Sequence, residues 1–270
     1  MKVVCFMPVR LGHLEVQLLA NAQMRRRQAF RSEEIAEALG ISAVQARELL
    51  SRMTRRRLIA RVRRGLYLVP RRIPPGGRWT PSEFLALATL MEDRNATYQI
   101  CGPAAFQRYA WEPQVPNRLD VYNSAISGNR RIGSASLALI KVDATRLGDT
   151  EVVVAPDGVD VVYSSRARSL VDAVYDWSRF GSLPRAYDWI RTELTADPAI
   201  AKRIVSAAIE YGNTGTLRRL GKLLESEGVS ERLLKRVEDA LPPTTASIPW
   251  CPTRPKRGVT DRRWGVVDNV

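Results

Sequence analysis

Near the N-terminus, apolar residues recur first at helical spacing and then at strand spacing. Residues 12–27 read as a helix with Leu14, Val16, Leu18, Leu19 and Ala22 on or near one apolar stripe, ending in Arg25, Arg26 and Arg27. Ser32 is placed to cap a short second helix, with Glu33 and Glu34 in its first turn and Ile35, Ala36 and Leu39 inward. Gly40 stands where a left-handed residue ends such a helix. Ser42 opens the next helix, and Gln45 three positions on completes a capping box. Ile41, Ala46, Leu49, Leu50 and Met53 then face the first two helices, which leaves Ala43, Gln45, Arg47 and Ser51 outward. Two helices joined by a short glycine-containing turn form the helix-turn-helix pattern. A strand over 58–62, a tight turn at Arg63-Arg64-Gly65 and a returning strand over 66–69, stopped by Pro70, add a hairpin with a basic tip. A hairpin in that position is a wing.

Beyond it the pattern changes. Residues 71–79 form a proline- and glycine-rich break. Thr80-Pro81 opens a helix running to about Met91, and Pro103–Ala110 reads as another. Strands are expected at 119–123, 136–142 and 151–155, with Pro156-Asp157-Gly158 turning back into 159–163. The chain is then helical to residue 241. Ser169 is expected to cap the first of these helices (Leu170, Val171, Val174 and Trp177 on one face), Ser182 and Pro184 to open the second, and Asp197-Pro198 the third, which Gly212 closes. Leu217, Leu220 and Leu224 line a fourth, and Leu233, Leu234, Val237 and Leu241 a fifth. The expected class is α+β: an N-terminal winged helix-turn-helix followed by a mixed α+β domain with a helical C-terminal part. The expected domains are 1–72, 80–245 and a basic Pro/Arg/Trp tail, 246–270, docked or extended, with Trp250 and Trp264 as its anchors.

Composition adds a partner to this outline. The 270 residues are 45% hydrophobic and 26% charged, enough for two domains with proper cores. The net charge of +14 is unevenly placed. Residues 1–75 carry 16 Lys+Arg and 5 Asp+Glu, whereas residues 76–250 carry 21 of each. A basic block on a neutral body points to one module with a polyanionic partner. Double-stranded DNA is the leading candidate, because a duplex carries one charge per about 1.7 Å and rewards clustered cations through counterion release. On that reading the helix from Ser42 and Ala43 onward enters a major groove. Gln45 is suited to adenine and Arg47 to guanine, with Ser51 on the same outer face. Arg61, Arg63 and Arg64 would grip phosphates or an adjacent minor groove. Arg25, Arg26 and Arg27 are further candidate phosphate contacts, although cations also suit a helix C-terminus. No stacking sheet or GXXG clamp points to RNA.

Other classes are disfavoured. No apolar run approaches the roughly 20 residues that span a bilayer, and the stretch 3–9 is short for a secretory signal and contains Pro8. Cys5, Cys101 and Cys251 are scattered and odd in number, which supports neither disulfides nor a zinc site and suggests a reducing, cytoplasmic setting. His13 is the sole histidine, so a Ser-His-Asp triad or a His-rich metal site has no material. Asp120, Glu151 and Asp160 lie near strands, but Glu151 is followed by Val152-Val153 rather than the Glu-x-Lys of metal-dependent nucleases. Residues 212–216 read as one helix cap followed by the next rather than as a phosphate cradle. No catalysis, cofactor or metal is expected.

Several segments resemble a known family. Arg63-Arg64-Gly65-Leu66-Tyr67-Leu68-Val69-Pro70, closing the winged helix, resembles the bacterial AbiEi-type antitoxins of type IV toxin–antitoxin and abortive-infection systems. Residues 102–106 with Ala110-Trp111, and the segment Ser164–Ala173 as Ser-x-x-Arg-(Thr/Ser)-Leu-x-Asp, are similar to segments of the same family. The resemblance implies a DNA-binding antitoxin that represses its own operon through repeats in its promoter. It also implies that the second domain counteracts a nucleotidyltransferase-type toxin, directly or indirectly. Arg168 and Asp172 match the family motif, either as a toxin contact or as an ion pair at a helix start. The Pro/Arg/Trp tail (249–267) is not placed by the family pattern, which leaves its role open. The alternative is a stand-alone winged-helix transcriptional regulator whose second domain senses a ligand.

Overall fold

A computed structural model describes residues 10–74 and 77–269; Cys5 and the stretch 3–9 lie outside them. The first elements are α1 (His13–Met24), β1 (Ala29–Arg31), α2 (Ser32–Leu39), α3 (Ala43–Arg55), β2 (Ala60–Arg63), β3 (Leu66–Leu68) and α4 (Glu83–Asp93). Then come β4 (Tyr98–Cys101), α5 (Pro103–Arg108), β5 (Leu119–Asn123), β6 (Gly128–Ile132), β7 (Ala135–Lys141), β8 (Thr150–Val154) and β9 (Asp160–Ser164). The remainder holds α6 (Arg166–Tyr175), α7 (Trp177–Phe180), α8 (Arg185–Ala196), α9 (Ile200–Tyr211), α10 (Thr214–Ser226) and α11 (Glu231–Asp239). It closes with β10 (Ile248–Pro249), β11 (Val259–Asp261) and β12 (Val266–Asp268). The class is mixed α+β with a helix-rich N-terminal region, and no helix among the described residues is long and apolar enough to cross a membrane.

The chain forms two compact units. The first holds the residues up to 97 together with 125–139 and 154–161; the second holds 98–124, 140–153 and 162 onward. In the first, α1, α2 and α3 close over a core of Leu18, Leu19, Phe30, Ile35, Leu49, Leu50, Met53 and Tyr67. The sheet beneath runs β1-β3-β2, all antiparallel, with Phe30 opposite Tyr67 and Ala60 opposite Leu68. β1 has three residues and no alternation to read, so the sequence missed it. Gly40 ends α2 at φ 61°, as its lack of a Cβ permits.

Several boundaries differ from the sequence reading, each for a local reason. α1 stops at Met24, and Arg26 takes φ 51°, so the three arginines follow the helix rather than complete it. Val16 is 49% exposed; the inward stripe instead includes Glu15, at 1%. Ser32 begins α2 with Arg31 in the capping position, where the Arg31 N–H donates to Glu34 at 2.7 Å. Ser82, not Thr80, caps α4 by accepting from the Leu85 N–H at 3.0 Å.

In the second unit the strands run β5-β4-β9-β8, with β4 antiparallel to β5 and parallel to β9. Helices α6 and α8 to α11 bury Leu170, Val174, Ile190, Ile204, Leu220, Leu224 and Val237 in one core. Ser165, rather than Ser169, caps α6, accepting from the Arg168 N–H at 3.1 Å, and Trp177 starts the separate α7. Gly212 ends α9 and Asn213 caps α10. The tail folds into a small sheet, β10-β12-β11. Trp264, 1% exposed, lies on α10 where Gly221 leaves room: a Cβ there would stand 2.2 Å from the indole. Trp250 stacks on Tyr187 with ring centroids 3.9 Å apart.

Candidate nucleic-acid interface

The N-terminus of α3 is held by its capping box: the Gln45 N–H donates to Ser42 Oγ at 3.2 Å, and the Ser42 N–H to Gln45 Oε1 at 2.9 Å. That contact changes what Gln45 can offer a base. Its carbonyl oxygen is engaged, and the bidentate adenine pairing needs both ends of the amide. Ala43, Arg47 and Ser51, spaced by four, share one face of α3, and Arg47 is exposed.

That face and the β2–β3 hairpin enclose one open concavity of about 620 Å³. Its lining includes Ala43, Arg47 and Ser51 from α3 and Arg61, Arg63, Arg64 and Tyr67 from the hairpin. Ser42 and Gln45 do not line it. The hairpin tip is set by Gly65 at φ 80°, whose carbonyl accepts from the Ser32 N–H at 3.0 Å. Arg31 and Ser32 also reach the concavity, through the strand and helix start that the sequence placed less well.

The arginines are not equivalent. Arg63 grips Asp93 with Nη2 at 2.6 Å and also through Nε, and Arg31 reaches the same carboxylate at 3.1 Å. Among the described residues no carboxylate lies within ion-pair distance of Arg47, Arg61 or Arg64. These three therefore keep their charge for a ligand, while that of Arg63 is answered internally. Arg27 pairs with Glu34 at 3.1 Å. Arg26 lies with Arg71 and Arg72 along a separate hollow, so the cluster 25–27 does not join the α3 concavity.

Two acids brace this unit. Buried Glu15 takes Arg56 at 2.7 Å and Arg52 at 3.3 Å, tying α3 to α1. Its burial opposes ionisation, but the Gly12 N–H and the two guanidiniums outweigh that and hold its carboxyl below the ordinary value of 4.5. The Arg63 hydrogen bonds do the same for Asp93, against partial burial. An acid whose folded pKa is depressed contributes stability above its unfolded pKa and loses it as pH falls through the folded one. Thermal unfolding should therefore move to lower temperature as pH drops from about 6 to about 3.5. Asp93→Asn should flatten part of that dependence; an identical pH profile would remove Asp93 from the balance.

Residues 17–70 match a family described as transcriptional regulator, AbiEi antitoxin. The matched segment contains β1, α2, α3 and both hairpin strands, and so every residue that lines the concavity. The fold is also similar to that of the crystal structure of the RV2827C protein from Mycobacterium tuberculosis, with a TM-score of 0.61 at 15% identity over 97% of this chain and 94% of that one. At such identity the likeness concerns the fold alone. No match was found among curated proteins.

The Ser164–Ala173 segment lies outside the AbiEi match. Arg168 and Asp172 are both 0% exposed. Arg168 Nε donates to Asp172 Oδ1 at 3.0 Å, while Nη1 and Nη2 donate to the carbonyls of Gly148 and Arg146 at 3.1 and 2.8 Å. Arg146 adds a second guanidinium to Asp172 at 3.1 Å and lies over the Tyr175 ring at 3.9 Å. Ser164 is held by Gln99 Nε2 at 2.8 Å, and the same amide accepts from the Gly148 N–H. Burial pushes the Asp172 carboxyl upward against the pull of Arg168 and Arg146. This network ties α6 to the 144–149 loop and to β4. Neither Arg168 nor Asp172 reaches the surface where a partner could touch it.

The remaining chemistry candidates are separated or sequestered. Asp120 on β5 pairs with Arg118 at 3.2 Å, and β4 and β9 intervene between it and Glu151 on β8. Among the described residues no group of three His, Cys, Asp or Glu could hold a metal. Cys101 is buried, and burial pushes its thiol up, away from the reactive thiolate.

Proposed function

We propose that this protein is an antitoxin that represses its own operon. Residues 1–72 act as a winged helix-turn-helix: α3 enters the major groove, and the β2–β3 hairpin is the wing. Residues 80–245 counteract a nucleotidyltransferase-type toxin, directly or indirectly, and the tail that follows is docked rather than extended; no catalytic step is involved. The observation that carries the DNA reading is the concavity that brings Ala43, Arg47 and Ser51 together with Arg61 and Arg64: Glu33 also lines it and Arg31 and Arg63 are answered by Asp93, but no carboxylate among the described residues pairs with Arg47, Arg61 or Arg64. The antitoxin half rests on the family description of residues 17–70 and on the resemblance of Ser164–Ala173.

Titration of the full chain against its own upstream DNA and a scrambled duplex of equal length, at several salt concentrations, tests this. Tight binding to the native fragment and weaker binding to the scrambled one is expected. Equal, steeply salt-dependent binding to both would reject the operator claim, and coexpression with the neighbouring gene tests the antitoxin claim. Within the same titrations, Arg64→Ala should weaken both duplexes and lower the salt slope by about one unit. An unchanged slope would remove Arg64 from the phosphate contacts.

A further inference from the structure

A second groove lies on the first unit beside the α3 concavity. It is an open hollow of about 710 Å³, lined by Thr54, Arg57, Arg61, Trp79, Thr80 and Arg131 among others, with no carboxylate in its lining. Arg131 comes from the β6–β7 hairpin, far along a stretch of sequence that is neutral as a whole. The fold returns it to the basic unit because β6 packs against β2. The hairpin tip is anchored there: the Ser134 N–H donates to Thr80 Oγ1 at 3.0 Å. Gly133, at φ 62°, fits where a Cβ would meet Thr80 Oγ1 at 2.6 Å.

The groove is continuous with the recognition surface. Arg61 lines both hollows, and α3 borders each of them, with Ser51 on one and Thr54, a turn later, on the other. Arg57, Arg61 and Arg131 are exposed, and no carboxylate among the described residues pairs with them. Three unanswered guanidiniums beside a half-buried indole suit a run of phosphates with their deoxyriboses: the cations face the backbone charge, and Trp79 offers a flat apolar wall. A small anion would also satisfy one guanidinium. The spread of the three and the shared Arg61 favour a backbone that passes from one hollow into the next.

We propose that this groove is a phosphate track that carries duplex DNA beyond the segment read by α3 and the wing, with the β6–β7 hairpin as a further DNA-contacting element. The inference rests on the DNA-binding reading above. It enlarges the footprint with contacts that carry no base information, so it adds affinity and salt dependence rather than sequence preference.

The test compares the full chain with its R57A/R131A variant on two duplexes, one trimmed to the core site and one extended on both sides. On the extended duplex the loss of two phosphate contacts should lower the slope of log affinity against log salt by about 1.8. On the trimmed duplex the variant and the parent should bind alike. Arg130, on the same strand, does not line the groove, and Arg130→Ala should leave the extended-duplex slope unchanged. Equal slopes for parent and R57A/R131A on the extended duplex, with Arg47→Ala still impaired, would overturn the track and leave the operator reading standing. The same slope change for Arg130→Ala as for Arg131→Ala alone would also overturn it, as diffuse charge. Failure of the parent to bind any duplex would overturn both.

Discussion

Replacing Asp172 by alanine is expected to destabilise the second unit by about 3–5 kcal/mol, since it strands a buried guanidinium without its counter-charge. Arg168 has no exposed surface and spends all three nitrogens on Asp172 and on the carbonyls of Gly148 and Arg146. Arg146 loses its carboxylate partner at the same time. A domain holds about 5–15 kcal/mol in all, so the loss should be plain in a urea unfolding curve of the full chain. The double replacement Arg168→Met with Asp172→Leu should recover part of it, because a well-packed apolar pair removes the desolvation cost. Recovery should stay incomplete, since the two carbonyls would lack their donors. A shift equivalent to less than about 1 kcal/mol for Asp172→Ala would mean that the network is not the brace its geometry suggests. The outcome bears on function as well. Any loss of the proposed toxin antagonism on mutating this motif should track loss of folded protein, because neither side chain meets the solvent.

Arg47→Ala should cost about 1–3 kcal/mol on the operator while barely changing affinity for an unrelated duplex. Arg47 stands mid-way along the outer face of α3, between Ala43 and Ser51, with a guanidinium that no carboxylate claims. Gln45, the other candidate reader, has its oxygen in the cap of the same helix, so Gln45→Ala should act mainly on stability, by about 1 kcal/mol. Arg63 is answered by Asp93, and opening that pair offsets whatever a phosphate returns. Quantitative binding on matched and scrambled duplexes separates these roles. Equal losses for Arg47→Ala on both would reduce it to one more phosphate contact.

The features legible in the sequence were those whose cause is local. The Ser42–Gln45 box, the left-handed Gly40, the Arg64-Gly65 turn and the buried positions of α3 each depend on residues within a few places of one another. What escaped was set by distant partners. β1 exists because Ala29–Arg31 finds β3, and β4 because it lies between β5 and β9; neither has enough alternation to announce itself. Caps slipped by a few positions where several serines or threonines competed, as at Ser165 against Ser169 and Ser82 against Thr80. Glu15 on an apolar stripe made sense only once Arg52 and Arg56 stood beside it.

The same division holds for the site. By itself the sequence determined that a basic helix pair with a hairpin heads this chain, and which residues of α3 face outward, because helical periodicity and capping are decided within a turn or two. Only the tertiary structure decided which arginines keep their charge. Asp93 silences Arg63, Asp172 sequesters Arg168, and the β6–β7 hairpin brings Arg131 beside Arg61. The Arg168–Asp172 pair, one helical turn apart, was open to reading as an ion pair, although its burial was not. Electrostatic contact acts through space at a few ångströms, and the long separations that bring Asp93 to Arg63 and Arg131 beside Arg61 leave no trace in the sequence.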